Sequence, residues 1–324
     1  MKSKAHSRWL GLASGDWRVQ AGKIRIGSRG SPLALAQANE VKQRLIAAHG
    51  LDEAAVEILT FKTTGDRIQD RSLAEAGGKG LFTKEIEEAL LAGQIDLAVH
   101  SMKDMPTELP DGLVIAAMLP REDVRDAFMS VRYGSIEELP SGAVVGSSSL
   151  RRQAQVRRLR PDLKVIEFRG NVETRLRKLE QGVADATFLA CAGLKRLGRA
   201  DRITRIMSAE EMLPAVAQGA IGVEIRRDDA ATTQLVTAIN HEPTFICVAT
   251  ERAFLARLEG SCRTPIAGLA ELDDGIVTFR GLILTPDGRR FHETQRQGPV
   301  TEALSLGDDA GRELKAIAGP EFFR

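Results

Sequence analysis

Residues 23–34 read KIRIGSRGSPLA, and this short stretch indicates the fold class. Its first five residues predict a β-strand, and the residues after them predict a turn. Ser31 is a preferred helix N-cap, and Pro32 suits the first helical position. Apolar residues then recur at helical spacing up to Gly50, where we expect the helix to end. A strand followed by a helix is the repeating unit of α/β proteins.

The same order of strand and helix recurs further along the chain. More strands are predicted at 54–61, 95–100, 142–145, 164–168 and 186–190. Alternation of strands with helices favours mostly parallel sheets. Short echoes lie at matching places, such as Ile26-Gly27-Ser28 and Val145-Gly146-Ser147. Because the spacings differ between the copies, we predict two similar α/β lobes rather than a strict repeat.

The pattern changes in the last third of the sequence. Helices are predicted at 248–258 and 308–318. Strands predicted at 275–285 and 290–295 flank Pro286-Asp287-Gly288, which is a strong turn signal. We therefore predict a smaller third domain of the α+β class.

Charge and composition exclude several classes of partner. The 324 residues include 45 basic and 44 acidic side chains, a near balance that argues against a bulk polyanion. Aromatic residues are only 4% of the chain, so base-stacking surfaces are not expected. No run approaches the roughly 18 apolar residues of a membrane span. We expect no nucleic acid, no membrane and no obligate protein partner, and we expect a monomer.

The cysteines and histidines indicate a reducing compartment and no metal site. Cys191, Cys247 and Cys262 form no C-x-x-C pair, and their odd number does not suggest a disulfide framework. The five histidines are scattered without ligand-like spacing, so we predict no zinc or other metal. Residues 1–22 lack a signal-peptide core and are interpreted as a flexible extension. We expect a cytoplasmic protein.

Cys262 lies in a polar turn, LEGSCRTP at residues 258–265. A cysteine kept for packing is usually surrounded by apolar residues, whereas Ser261 and Arg263 flank this one. A neighbouring arginine favours the thiolate, which is the nucleophilic form. Two interpretations remain open at this point, a reactive or modified thiol and an ordinary loop cysteine.

Polar residues follow several of the predicted strands at the point where each strand ends. In open parallel sheets, ligands bind beyond these carboxyl ends, where helix N-termini add backbone N–H donors. Arginine suits carboxylate ligands because its planar fork donates two parallel hydrogen bonds. The sequence therefore predicts an anion site that contains Arg29, Ser31, Ser101, Lys103, Asp104, Ser147, Ser149, Arg151, Arg152 and Arg169.

Asp104 is the acidic residue that stands out in this set. It follows Lys103 at the end of a predicted buried strand, and by itself it fits a turn or cap residue equally well. Among cationic residues, a carboxylate can instead stabilise a developing positive charge or hold a proton in transfer. His100, inside the apolar strand, is predicted to be a core histidine.

These residues resemble the hydroxymethylbilane synthase family, also called the porphobilinogen deaminase family. The resemblance is carried by ordered motifs between about residues 23 and 268, which makes it specific. The motifs are IRIGSRGSPLA at 24–34, GGKGLF at 77–82, HSMKDMP at 100–106, LPRED at 119–123, GSSSLRRQ at 146–153, RGNV at 169–172, AGLKR at 192–196, AQGA at 217–220, ERA at 251–253 and LEGSCRTP at 258–265.

The resemblance implies a transferase of tetrapyrrole biosynthesis. Such an enzyme joins four porphobilinogen molecules head to tail with loss of ammonia, and water then releases linear hydroxymethylbilane. The family carries a dipyrromethane primer as a cofactor, attached through a cysteine thioether at the position of Cys262. Loss of ammonia gives an electrophile that a thiolate can capture. The family's catalytic aspartate matches Asp104.

The substrate's acetate and propionate groups need cationic and hydrogen-bonding partners. Family positions that bind cofactor and substrate carboxylates match Arg29, Ser31, Lys79, Ser101, Lys103, Ser147, Ser149, Arg151, Arg152, Arg169, Gly170, Arg175, Arg196 and Gln218. Some members have a lysine where this chain has Glu75, so a primer contact is not expected there.

The resemblance also implies the fold and the domain boundaries. The expected fold is α/β, with two doubly wound lobes resembling bilobal (type II periplasmic) binding proteins and a smaller α+β third domain that carries the cofactor cysteine. The expected division is residues 1–22 as a flexible extension, 23–119 with 219–238 as domain 1, 120–218 as domain 2 and 239–324 as domain 3.

A bilobal protein that only binds a small carboxylate or oxyanion is the alternative function. It accounts for the paired lobes and the arginine-rich strand ends. It does not account for the turn at Cys262 or for the third domain.

Overall fold

The computed structural model describes residues 23–67, 80–260 and 264–323. Within these ranges the chain forms two α/β lobes and a third domain, each built on one sheet. The predicted fold class is thereby confirmed. The predictions for Lys79, Cys262, Glu75 and residues 1–22 lie outside the described residues.

The elements are numbered here in chain order. The strands are β1 (Ile24–Arg29), β2 (Val56–Phe61), β3 (Leu97–Ser101), β4 (Leu113–Met118), β5 (Asp126–Ser130), β6 (Val144–Gly146), β7 (Lys164–Ile166), β8 (Ala186–Ala190), β9 (Arg205–Ile206), β10 (Ile221–Arg226), β11 (Ile266–Asp273), β12 (Ile276–Leu284) and β13 (Phe291–Pro299). The α-helices are α1 (Pro32–His49), α2 (Thr64–Arg67), α3 (Lys84–Leu91), α4 (Leu150–Leu159), α5 (Val172–Glu180), α6 (Cys191–Arg196), α7 (Ala230–Thr237), α8 (Glu242–Arg257) and α9 (Ala303–Ala318).

The two lobes have the same sheet plan. The first-lobe sheet has the order β2-β1-β3-β10-β4, and the second-lobe sheet has the order β7-β6-β8-β5-β9. In each sheet the first three strands pair in parallel, and the fourth runs antiparallel to both of its neighbours. The prediction of mostly parallel sheets therefore holds except at β10 and β5. Each of these two strands follows a crossing of the chain from the other lobe.

The third domain is built from one antiparallel sheet and two helices. Its sheet has the order β11-β12-β13, and α8 packs against α9 beside it. The last helix was predicted to begin at Asp308, but α9 begins at Ala303 and includes Gly307. A Cβ atom at Gly307 would lie 2.0 Å from the Thr250 carbonyl oxygen, so glycine allows α9 to approach α8 closely.

The predicted start of α8 at residue 248 was too late. The helix begins at Glu242 because the His241 ring accepts a hydrogen bond from the Thr244 N–H at 3.3 Å. Histidine is not a common N-cap residue, and this start was therefore not predicted.

The largest apolar core joins the first lobe to the third domain. Met102 and Met105, beside the predicted catalytic Asp104, pack in one cluster with Phe254 and Leu258. Residues on both sides of Asp104 in the chain thus belong to the interior that the first lobe and the third domain share.

Candidate functional site

The predicted site residues meet where the parallel strands of both lobes end. β1, β3 and β6 end at or next to Arg29, Ser101 and Ser147. Loops and helix starts follow each of these ends, which is the usual place for ligands in an α/β sheet.

Asp104 is the last residue of a 3-10 turn that follows β3 directly. The turn is anchored by Met102, which is 1% exposed. Asp104 is itself half-buried, and no hydrogen bond or ion pair to its carboxylate is found within residues 23–67, 80–260 and 264–323. No described residue therefore occupies the Asp104 carboxylate, which can bind a ligand.

Lys103 lies beside Asp104, and charges of both signs act on its ammonium group. Burial lowers the pKa of the Lys103 ammonium, and the guanidinium groups of Arg152 and Arg175 lower it further. The carboxylates of Asp104 and Asp126 oppose this shift. An anion bound next to this buried ammonium would favour its charged form.

Arg175 brings a second-lobe cation to the same place. Burial lowers its pKa to about 10, with repulsion from Arg152 and Arg169 in the same direction and attraction from Asp104 in the opposite one. Its Nε is buried and has no hydrogen-bond partner among the described residues. Buried donors are normally paired, so this atom indicates space for a ligand acceptor.

The serine run before α4 presents hydroxyl and backbone donors. Ser149 caps α4 by accepting a hydrogen bond from the Arg152 N–H at 3.4 Å, and Ser147 Oγ accepts one from the Ser149 N–H at 3.2 Å. Ser148 Oγ is buried without a partner within the described ranges. Ser148 was not among the predicted site residues, although it lies between two that were.

Arg151 and Arg152 converge on one buried carboxylate, Asp126. Arg151 Nη1 donates to Asp126 Oδ2 at 2.7 Å, and Arg152 Nη2 donates to Asp126 Oδ1 at 2.6 Å. Arg152 also donates to the Phe188 carbonyl oxygen, whereas Arg151 Nε has no partner in the described part of the chain. Both arginines are thus part of the framework of the second lobe as well as neighbours of the site.

Asp126 was missed in the sequence, where it lies 25 residues before Arg151. Arg151 and Arg152 were predicted to face a ligand at a helix start, whereas both are buried, and buried guanidinium groups require a carboxylate nearby. The pKa of Asp126 is lowered although burial raises it, because both guanidinium groups attract and hydrogen-bond the charged form.

Arg29 lies at the end of β1 in contact with Asp66 and Phe82. Its Nε donates to Asp66 Oδ2 at 3.3 Å, and its Nη2 also bonds this carboxylate. The guanidinium stacks 4.3 Å from the centre of the Phe82 ring. These contacts orient Arg29 at the edge of the first lobe.

Arg196 joins the two lobes. It donates to Glu40 on α1 at 3.3 Å and to the Gly219 carbonyl oxygen at 3.0 Å. Gln218 is 1% exposed and donates to the Val124 carbonyl oxygen at 2.7 Å. The structure thus places both residues at the chain crossings between the lobes.

The remaining predicted residues have local roles in the fold. Ser31 caps α1 through the Ala34 N–H at 3.3 Å, and Ser101 exchanges hydrogen bonds with Gln37. The carbonyl oxygen of Arg169 accepts from Lys178 Nζ at 3.0 Å, and Gly170 follows with φ of 122°. His100 is buried and bonds Glu224 at 2.9 Å, so the prediction of a core histidine is confirmed.

The assembled site suits a ligand with several carboxylates. Lys103 of the first lobe and Arg175 of the second lobe are both influenced by the charge of Asp104. Of the seven buried side-chain polar atoms without partners among the described residues, three belong to this site, namely Ser148 Oγ, Arg151 Nε and Arg175 Nε. In the same residues no group of histidine, cysteine and acidic side chains could hold a metal ion. No described helix has the length and apolar character needed to cross a membrane.

Two family models match this chain. The model described as porphobilinogen deaminase, dipyromethane cofactor binding domain, matches residues 24–234. The model of the porphobilinogen deaminase C-terminal domain matches residues 245–316.

Curated relatives carry the same name. The porphobilinogen deaminase of Paracoccus denitrificans (strain Pd 1222) is 61% identical over 300 residues, which cover 93% of this chain and 96% of that protein. The porphobilinogen deaminase of Nitrobacter hamburgensis is 59% identical over 298 residues, which cover 92% and 94%. Among solved structures, a periplasmic substrate-binding protein from Coxiella burnetii aligns with a TM-score of 0.42 and 17% identity over 71% of this chain and 96% of that chain.

Proposed function

Because this chain belongs to the porphobilinogen deaminase family, we propose that Asp104 is its catalytic carboxylate and Cys262 its cofactor attachment point. The chain is a transferase, a hydroxymethylbilane synthase. It condenses four porphobilinogen molecules with loss of ammonia onto a dipyrromethane primer and releases linear hydroxymethylbilane by hydrolysis. Its cofactor is the dipyrromethane. A binding protein without catalysis is set aside by this family membership.

The described residues fit a primer that carries carboxylates. Ser148 Oγ, Arg151 Nε and Arg175 Nε are buried without partners in the described ranges, and each can donate to an acceptor. Lys103 adds an ammonium group, and burial lowers the pKa of this group. When bound, the primer supplies the pyrrole carbon to which each new ring is joined.

Each residue of the site then has a role that follows from its chemistry. Arg175, Lys103 and the serines before α4 bind carboxylate groups and orient the rings. Asp104 places its negative charge where porphobilinogen becomes positively charged as ammonia leaves. A carboxylate oxygen of Asp104 can also hold a proton that moves to or from the substrate as ammonia leaves. Arg29, Arg169 and Arg196 already contact acidic side chains, and their guanidinium groups add further donors for the carboxylates.

The other two cysteines support Cys262 as the attachment point. Burial raises the pKa of Cys191 to about 12 and that of Cys247 to about 11. A thiol with so high a pKa contains almost no thiolate at neutral pH, and the thiolate is the nucleophile. Cys262 is the cysteine that remains, and the motif around it resembles the family's attachment loop.

Intact-mass analysis tests this assignment directly. We expect a covalent two-pyrrole adduct on the purified protein, located by peptide mapping at Cys262 and absent from Cys262→Ser. Cys247→Ser is the matched control and should retain the adduct. An unmodified protein with full activity, or an adduct on Cys191 or Cys247, would refute the assignment.

We also propose the domain division predicted from the sequence, and a monomer that works in the cytoplasm. Sheet membership supports the division, because β1–β4 and β10 share one sheet, β5–β9 another and β11–β13 the third. The unpaired thiols of Cys191 and Cys247 support a reducing compartment. Light scattering of the purified holoenzyme tests the monomer, and a dimer mass would contradict it.

A further inference from the structure

Arg252 lies on α8 and makes its contacts in the first lobe. Its Nη2 donates to the carbonyl oxygens of Pro106 at 2.7 Å and Thr107 at 3.3 Å. Its Nη1 donates to the Met105 carbonyl oxygen at 3.4 Å. These three carbonyl groups belong to the residues that follow Asp104 immediately in the chain.

The charge of Arg252 is not neutralised by a close carboxylate within the described ranges. Burial lowers its pKa, and the carboxylate of Glu224 opposes this shift without forming a direct ion pair. A partly buried charge without an ion-pair partner is costly, so its hydrogen bonds have to compensate. Here all of those bonds go to the backbone beside Asp104, where the rigid guanidinium fork fixes several carbonyls at once.

The other end of the same segment is also fixed. His100, at the end of β3, bonds Glu224 on β10 at 2.9 Å, and both side chains are buried. The 3-10 turn that ends at Asp104 is thus anchored before and after. The anchor after it comes from the third domain.

Helix α8 also leads toward Cys262 in the chain. It ends at Arg257, and Leu258 at its C-cap packs in the core that contains Met105. One rigid helix therefore connects the backbone beside the proposed catalytic carboxylate with the proposed attachment loop.

We propose that Arg252 is a positioning residue that holds Asp104 in its working position relative to the cofactor domain. The inference rests on the proposed roles of Asp104 and Cys262. It predicts that Arg252 affects turnover more than substrate binding or cofactor attachment.

The test uses holoenzyme carrying Arg252→Gln or Arg252→Lys. Arg257→Gln is the matched control, because Arg257 lies on the same helix and pairs with Asp308 at the surface of the third domain. We expect the adduct mass to be unchanged in all three proteins. In Arg252→Gln we expect kcat to fall roughly tenfold or more, since small displacements of a catalytic group cost this much. KM should change by less than about twofold.

The conservative variant separates position from stability. Arg252→Lys keeps the positive charge but loses the planar guanidinium fork. Compared with Arg252→Gln, it should recover the thermal stability of wild type but only part of the wild-type kcat. A kcat in Arg252→Gln equal to that of Arg257→Gln would overturn the proposal. Recovery of kcat in strict proportion to thermal stability, or loss of the adduct in both Arg252 variants, would overturn it as well.

A double-mutant cycle with Asp104→Asn shows whether Arg252 acts through Asp104. If it does, Arg252→Gln should lower the residual rate of Asp104→Asn by less than about twofold. A full additive loss would overturn the positioning role and leave the role of Asp104 intact. Near-normal turnover of Asp104→Asn alone would instead refute the proposed function of Asp104, and the inference about Arg252 with it.

Discussion

At the scale of single residues, the site depends on which carboxylates are paired and which are not. Asp126 accepts hydrogen bonds from Arg151, Arg152 and Gln218, whereas Asp104 has no such partner among the described residues. The first carboxylate holds the framework together, and the second is left for chemistry. Substitution of Asp104 should therefore lower mainly the turnover, and substitution of Asp126 should lower mainly the stability of the fold.

Asp104→Asn should lower kcat by at least about a hundredfold, because the amide cannot offset a developing positive charge. The adduct mass should persist, since Asp104 is not needed to hold the thioether. Steady-state kinetics and intact mass on the same preparation check both statements. Asp111→Asn, at an exposed turn of the same lobe, is the control and should leave kcat unchanged.

Asp126→Asn should instead destabilise the protein by about 3 to 5 kcal/mol, because two buried guanidinium groups lose their counter-charge. Urea unfolding followed by circular dichroism measures this loss. Asp308→Asn removes exposed ion pairs and should cost less than about 1 kcal/mol. Equal losses in the two variants would contradict the framework role of Asp126.

The same carboxylate predicts a pH dependence of stability. The folded-state pKa of Asp126 lies below its usual value, because Arg151 and Arg152 favour the charged form. Its stabilisation is therefore complete above the unfolded-state pKa of about 3.9 and is lost as pH falls toward the folded-state pKa. The free energy of unfolding should fall below about pH 4 more steeply in wild type than in Asp126→Asn.

At the scale of elements, helix starts serve both the fold and the site. Ser31 caps α1 and is also a proposed carboxylate-binding residue. Ser31→Ala should cost about 1 kcal/mol of unfolding free energy through loss of the cap. Ser31→Asp keeps a capping oxygen and should retain stability, but its negative charge should raise KM. If KM is unchanged in both variants, Ser31 does not take part in substrate binding.

Most elements that carry the site could be predicted from sequence, because strand–turn–helix signals are local. Residues 23–34 predicted β1, the cap at Ser31 and the start of α1. The antiparallel placement of β10 could not be predicted, because the pairing of residues far apart leaves no local pattern. Which carboxylate binds Arg151 and Arg152 could not be predicted for the same reason, since Asp126 lies 25 residues before the first of them in the chain.

At the scale of the whole molecule, one buried carboxylate ties the three parts together. Glu251, on α8, pairs with Arg121 at 2.6 Å where the chain leaves the first lobe. It also accepts from the Ala217 N–H at 2.6 Å, where the chain returns, and from the Ala270 N–H at 2.8 Å in the third domain. Both crossings are therefore joined to the domain that carries Cys262.

Glu251→Gln should destabilise the protein by about 3 to 5 kcal/mol, because it leaves the Arg121 charge partly buried and unpaired. Glu271→Gln, whose side chain is 63% exposed in the same domain, is the control. Thermal unfolding of both holoenzymes measures the difference. An equally small effect in the two variants would show that Glu251 is dispensable at this junction.

The position of β10 has a consequence for synthesis on the ribosome. The second-lobe sheet is complete once residues 126–206 have emerged, because its five strands are contiguous in the chain. The first-lobe sheet begins earlier but has to wait for β10, which pairs with both β3 and β4. Chains generally fold as they emerge and in contiguous units. The lobe that is translated first is therefore the lobe that closes second, and the nascent chain has to protect an open sheet edge in the interval.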